Sequence, residues 1–492
     1  MGYGKVLRER VPAIRFLVEA QKTVWYPILF AVICIISGSC NRFVYLPLIA
    51  ILCSFVIFSA LFTDDNKVFL VPILMIYYSM GMDEPLALPG GATDQSLLSS
   101  FSGNAFTVII ICGSVTFCAF IARMIADGSV VEACKHRSFV ALGILILDAA
   151  FLTNGLLNPN YPITTFLYGL IICAAITVFF FLGFGMLKNS KEIIPYTCKI
   201  MVCTAYVALF QFFIKACWLY QKGLLFYCDV NGEIVRISRY YINLSWGLST
   251  QIAAVFVLGI PAAMYLARNG KRPVLSYLSA LAFLLGTVLI NTRSAMLVGA
   301  VAFVVCSVLS CIKNQTKPKN VNIVRAFSVV FVICITGVLI AILAKPGALM
   351  EILYSLRFSD HDDSPRLKLW ELGLEHFFSS PVFGSGFDTG SNIDNNVFSS
   401  MYHCFPIQII GSMGVIGAIA AMIHLVSLGR LALKRASVNK FLLLMLPLMI
   451  LGMSLVDNFF FYPNFQIFYA IFVLLAEYSD AEKRDSLINS QN

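Results

Sequence analysis

Residues 244–267 read LSWGLSTQIAAVFVLGIPAAMYLA, residues 268–273 read RNGKRP, and residues 274–291 read VLSYLSALAFLLGTVLIN. Two apolar runs, each long enough to cross about 30 Å of hydrocarbon as a helix, are joined by a short basic turn. Inside lipid every backbone N–H and C=O must be satisfied within its own segment or in a closed barrel, and unbroken apolar runs do not read as barrel strands. The same pattern recurs from Val24 to Ala476. Length and flanks place spans at 26–41, 43–62, 67–82, 102–124, 138–155, 162–187, 193–222, 244–267, 274–291, 294–311, 326–344, 403–428, 441–458 and 463–478. The expected fold is all-α, a polytopic transmembrane helical bundle of about fourteen spans, within a range of about 12–14. The 67–82 run is short enough to be re-entrant.

Composition agrees: of 492 residues, 59% are hydrophobic and only 12% charged, a balance that a soluble core of this length does not need. The first run starts after Trp25, behind Lys5, Arg8, Arg10, Arg15 and Lys22, so it reads as a retained span and not as a cleavable signal peptide. The segment before it is either a helix lying on the inner membrane face or a solvated tail.

The net charge of +9 does not point to nucleic acid, because apolar spans interrupt the basic residues and leave no continuous basic face. The charge pattern reports orientation instead. With a cytoplasmic N-terminus, the loops holding Arg123, Lys135 and Arg137, then Lys188 and Lys191, then Arg268, Lys271 and Arg272 all fall inside. So do Lys313 to Arg325, Arg430 to Lys440, and the tail with Lys483 and Arg484. Roughly three times as many Lys and Arg then lie inside as outside, which orients both termini to the cytoplasm. Most of the 15 cysteines sit within apolar runs, where cysteine packs as a small hydrophobe, and no zinc spacing occurs. Cys40, Cys228 and Cys404 fall near the outer boundary.

This order divides the chain into a cytoplasmic or interfacial segment 1–25, a bundle 26–344, a large outer loop 345–402, closing spans 403–478 and a cytoplasmic tail 479–492. The large loop holds Asp360, Asp362, Asp363, Glu371, Glu375, Asp388 and Asp394. Within it Ser364 and Pro365 read as the N-cap and first residue of a helix, and Leu367, Trp370, Leu374, Phe377 and Phe378 recur at helical spacing. That predicts a short amphipathic helix on the bundle or at the outer interface, ended by Ser379-Ser380-Pro381 and followed by the Gly384-Ser385-Gly386 turn.

Three basic groups fall on the outer side in this topology. Arg293 lies in the turn Asn291-Thr292-Arg293-Ser294, Arg366 opens the loop helix, and His403 stands where the loop rejoins the membrane. Guanidinium groups grip phosphate oxygens through paired hydrogen bonds, and an imidazole exchanges a proton near neutral pH. Taken singly, each has a plain structural reading: Arg293 as a turn residue snorkelling to head groups, Arg366 as a solvated helix start, and His403 as interfacial filler.

Arg366-Leu-Lys-Leu-Trp370, followed by Phe377-Phe-Ser-Ser-Pro381-Val-Phe-Gly384-Ser-Gly386-Phe, resembles the outer-loop signature of the O-antigen ligase and polymerase superfamily. His403 followed by Ile407, Ile410, Gly414 and Gly417 resembles the helix that carries that family's Gly-x-x-Gly step, and Thr292-Arg293-Ser294-Ala295 resembles its upstream arginine turn. The resemblance departs at one place: Cys404 stands where the family has an asparagine.

The resemblance implies a bacterial inner-membrane glycosyltransferase of surface polysaccharide biosynthesis (O-antigen, capsule or exopolysaccharide); the high span count and moderate outer loop favour a polymerase over a ligase. Its donor would be an undecaprenyl diphosphate-linked oligosaccharide, its acceptor a glycan or a lipid, and its surroundings membrane lipids and other polysaccharide-assembly proteins, with no cofactor and no metal. Arg293, Arg366 and His403 take the catalytic roles. The resemblance gives Arg293 and Arg366 substrate-binding roles as well; Trp370, Asp457, Arg236 and Arg239 are further candidate substrate-binding residues, by their expected place on the outer side.

Some groups have competing readings. Asp148 and Asp457, near the outer ends of spans, are costly there and so functional suspects, or partners for an outer arginine. Arg42, Arg236 and Arg239 could hold phosphate or sugar, but the interfacial-anchor reading is favoured for them, as it is for Lys215 and Lys222. Asn395 or Asn396 would replace the missing family asparagine, although a polar loop is the preferred reading. Asp360-His361-Asp362-Asp363 offers metal-type ligands, but a solvated acidic turn is favoured. His424 reads as packing. The rival class is a lipid-linked oligosaccharide flippase, which predicts buried charges along a central cavity and matching halves. Neither is visible, whereas the suspect charges gather at one face. A lipid-sugar transferase with acidic residues in its first outer loop is disfavoured by Arg42, although Asp83 and Glu84 follow in the next.

Overall fold

The computed structural model describes residues 7–40, 42–80, 103–158, 163–187, 190, 192–228, 234–238, 241–244, 246–312, 318–343, 365–387 and 401–489. Helices dominate these residues. Each of the fourteen expected spans has a helical counterpart, from Trp25–Gly38 to Pro463–Asn489. Seven described helices are long and apolar enough to cross a membrane, or up to nine if two bent pairs each count as one span. Asn66–Ser79, Phe139–Leu152, Pro273–Leu289 and Val438–Ser454 are shorter apolar helices. The 67–82 run is broken into 3-10, α and 3-10 turns, with Pro72 inside. Between the 193–222 and 244–267 runs, strand Phe226–Cys228 pairs antiparallel with Ile234–Ile237.

The chain forms two compact units, residues 1–129 with 186–360, and residues 130–185 with 361–492. In the first unit the central helix is Ser249–Asn269, packed against Ile193–Gln221, Pro273–Leu289 and Arg293–Cys311. Lipid offers little hydrophobic force between helices, so close backbone approach decides their association. Ala253, Ala254, Gly259, Ala262, Ala263 and Ala267 supply it: a Cβ on Gly259 would lie 2.7 Å from Ala205 Cβ and 2.8 Å from the Phe283 ring. Helix ends are tied by side chains. Buried Arg268 donates to the Ser310 and Ile312 carbonyls, each at 2.9 Å, at the end of Arg293–Cys311. Gln211, 1% exposed, donates to the Cys34 and Tyr78 carbonyls at 2.9 and 2.8 Å and accepts from the Trp246 indole at 2.7 Å.

In the second unit, helix Phe405–Leu433 packs on Phe139–Leu152 and on Pro365–Ser379, and Pro463–Asn489 packs on Val438–Ser454 and Ile163–Thr177. Helix 405–433 is broken at Gly414, whose φ of 63° and ψ of −154° are open only to glycine. A break inside a membrane helix frees backbone groups that lipid cannot satisfy. The Pro381–Gly386 loop satisfies them. Val415 N–H donates to Pro381 O at 2.8 Å and Ile416 N–H to Val382 O at 3.3 Å, while the Gly411 and Ser412 carbonyls accept from Ser385 and Gly386 at 2.9 and 3.0 Å. The same loop is pinned from the other side by Asn154, which accepts from Phe387 N–H at 3.0 Å, and by Asn158, which donates to Ser385 O at 2.9 Å.

Candidate active site

Helix Pro365–Ser379 begins with a proline, whose missing N–H costs nothing in the first turn, and carries Arg366 and Trp370 one turn apart. Its packed face is Leu369, Leu372 and Gly373, whereas Leu367, Leu374 and Phe378 are exposed. This differs from the predicted apolar stripe. The reason is Gly373: a Cβ there would lie 2.4 Å from Ile407 and 3.1 Å from the Tyr402 ring, so the glycine face gives the closest seat on helix 405–433.

Tyr402 sits against Gly373 and Gly411, and its hydroxyl is 2.5 Å from His376 Nδ1. Burial lowers the His376 pKa, with the Glu375 charge opposing. Tyr402 N–H donates to the buried Gln408 side chain at 2.9 Å, and Gln408 donates to Ser412 Oγ at 2.7 Å. These bonds hold the residue that follows, His403, in the left-handed region at φ 53°, a conformation that costs a non-glycine residue about 1 kcal/mol or more.

From that position His403 Nδ1 lies 2.9 Å from Asp457 Oδ1. Asp457 sits in the turn after Val438–Ser454, with its side chain 7% exposed, and also accepts from Asn458 N–H at 2.8 Å. Arg366 Nη1 donates to the carbonyl of Val456, the preceding residue, at 2.5 Å. Burial pushes the Asp457 carboxyl pKa up, but the His403 hydrogen bond, the His403 and Arg366 charges and the Asn458 N–H outweigh it and hold the carboxyl below the ordinary carboxylate value. An ionised carboxylate at Nδ1 favours the tautomer with its proton there, leaving Nε2 as the basic atom of a ring that is 30% exposed.

The second unit therefore brings Arg366, His403 and Asp457 together on the consecutive residues Val456 and Asp457. Trp370 is half-buried on the same helix, and its indole N–H has no hydrogen-bond partner among the described residues. Arg293 belongs to the first unit, as the exposed first residue of Arg293–Cys311 after buried Asn291 and Thr292, with Asn291 at φ 59°. Arg239, Asp83, Glu84, Ser364, Asn395, Asn396 and Asp360 to Asp363 lie outside the described residues, as do the side chains of Arg236 and Arg42.

Asp148 accepts from the Thr177 hydroxyl, and His424 Nε2 is 2.6 Å from the Tyr469 hydroxyl. The His376–Tyr402 pair was not foreseen. Its only trace in the sequence is an aromatic residue before His403, too common a feature to single out.

The O-antigen ligase family model matches residues 278–422. This matched segment is similar to the O-antigen ligase family. It begins within Pro273–Leu289, ends within Phe405–Leu433, and contains Arg293, Arg366, Trp370, His403 and the Gly414 break. Asp457 lies beyond it, so the partner of His403 comes from outside the matched segment. A search of curated proteins finds no match. The O-antigen ligase family acts in surface polysaccharide biosynthesis as membrane glycosyltransferases. This chain, with its many apolar helices, is an integral membrane protein.

Proposed function

We propose that the protein joins glycan repeat units on the outer face of a bacterial inner membrane, taking them from undecaprenyl diphosphate, and that it acts as a polymerase in preference to a ligase. The observation that carries this reading is the His403–Asp457 contact beside Arg366. An acceptor hydroxyl attacks the anomeric carbon, and the bond from that carbon to the diphosphate oxygen breaks with inversion. His403 Nε2 takes the hydroxyl proton, and Asp457 stabilises the imidazolium that forms. The diphosphate departs with the electron pair, and its growing charge meets the Arg366 guanidinium, the type of stabilisation that contributes most to such reactions. In this reading Arg293 takes a second phosphate-binding role, which its place within the matched segment supports. Trp370 offers a ring face and an N–H to a sugar. The bond energy resides in the lipid diphosphate, so no nucleotide is needed on that face.

The test uses the purified full chain in phospholipid vesicles with a lipid diphosphate-linked repeat, and the products are sized on gels. Wild type is expected to release lipid diphosphate and lengthen the glycan, and H403A and R366A to do neither at comparable rates. Lengthening unaffected by both changes would remove the proposal. Movement of the lipid across the bilayer without a new glycosidic bond would mark a flippase.

A further inference from the structure

Helix Pro12–Gln21 is joined to the span Trp25–Gly38 by three residues and turns 81° away from it. Where the span stands along the membrane normal, a helix at nearly a right angle to it runs along the membrane plane. Its residues divide into three faces. Val18 and Gln21 are buried, at 0% and 4% exposure, with Ile14 beside them, and the Gln21 carbonyl accepts from the Tyr196 hydroxyl at 3.1 Å. Arg15 and Glu19 are exposed along one edge. Along the other lie Ala13, Phe16, Leu17 and Ala20, with Phe16 72% and Leu17 45% exposed, and Trp25 at the bend 70% exposed.

The orientation is tied down by ions. Asp64 takes Arg8 at 3.0 Å and Lys22 at 2.7 Å, and Lys22 also reaches Glu19 at 2.7 Å. The span that follows exposes Leu29, Val32 and Ile36, as a lipid-facing helix does. Phe16 and Leu17 lie on the helix that meets this exposed surface at the Trp25 bend. One charged edge, one apolar edge and an aromatic residue at the junction are the features of a helix seated between head groups and acyl chains.

We infer that helix 12–21 is a membrane-surface element that inserts Phe16 and Leu17 into the head-group and acyl boundary of the bilayer, with Arg15 and Glu19 turned to water. The occupant of this face is phospholipid. The orientation fixes the exit angle of the first span and is independent of the proposed chemistry.

The test places a photoreactive residue in the full chain, as Phe16→p-benzoylphenylalanine, Leu17→p-benzoylphenylalanine and, separately, Glu19→p-benzoylphenylalanine. Each protein is reconstituted in phosphatidylethanolamine and phosphatidylglycerol vesicles with traceable acyl chains and illuminated. Leu29→p-benzoylphenylalanine serves as the lipid-facing reference. Adducts to acyl chains at 16 and 17, approaching the yield at 29 and several-fold above that at 19, are the expected result. Equal labelling at 19, no lipid adduct at 16 and 17, or cross-linking there to a second copy of the chain would overturn the inference.

Discussion

His403 and Asp457, separated by 54 positions, meet at 2.9 Å, and the pairing rests on a left-handed backbone at His403 and a buried turn at Asp457. The carboxylate orients the ring and favours one tautomer, so its amide analogue should keep the packing and lose the chemistry. D457N and H403A are each expected to lower glycan-joining turnover by about 10²–10⁴-fold, the range of general acid–base contributions. The check is initial rate in vesicles with wild-type protein levels.

The same carboxyl gives a pH signature. Its pKa in the folded protein lies below the value of about 3.9 in the unfolded chain. The stabilisation it provides is present above about pH 4 and fades as pH falls through the folded value. Thermal unfolding in detergent between neutral and acid pH should show D457N losing less stability on acidification than wild type. Identical pH slopes in both proteins would contradict the pairing.

Arg366 holds the Val456 carbonyl while its charge acts on Asp457, so it should not be exchangeable for lysine. R366A is expected to reduce kcat/KM by about 10²–10³-fold, the effect of removing one positioned charge donor, and R366K to recover little of it. Full recovery by lysine would leave a generic positive charge as the only requirement.

Gly414 allows helix 405–433 to break, and a Cβ there would fall 2.5 Å from the Pro381 and Val382 carbonyl oxygens. G414A is expected to cost about 1–3 kcal/mol from the backbone conformation alone, with the clash in addition, and to lower the unfolding temperature. G429A, where a Cβ meets nothing within 4 Å, is the matched control. It should be neutral or stabilising by up to about 1 kcal/mol.

Gln211 tests the first unit. Q211L would strand the Trp246 indole N–H and two buried carbonyls, at about 1–3 kcal/mol for an unsatisfied group. The measurement is the unfolding midpoint against wild type, and an unchanged midpoint would show that water replaces the amide.

The apolar runs, their helical state and the helix opening at Pro365 were legible in the sequence because hydropathy and proline are local signals. Arg366 and His403 were singled out by the motif resemblance, since each alone has a plain structural reading, and Asp457 by its cost near a span end. The packed face of helix 365–379 was not legible, since Leu367, Leu374 and Phe378 satisfy helical spacing as well as Leu369 and Leu372 do. A glycine close approach at Gly373 decided between them. Nor did the Gly384-Ser385-Gly386 turn reveal its task, which is to complete the backbone of a helix about thirty residues further along.

Taken alone, then, the sequence determined that the chain is a membrane protein of many helices, because burying a peptide backbone in hydrocarbon permits little else. Which carboxylate meets His403, and which loop fills the break at Gly414, was decided only by tertiary structure. Hydrogen bonds between residues far apart in the chain leave no periodic trace in it.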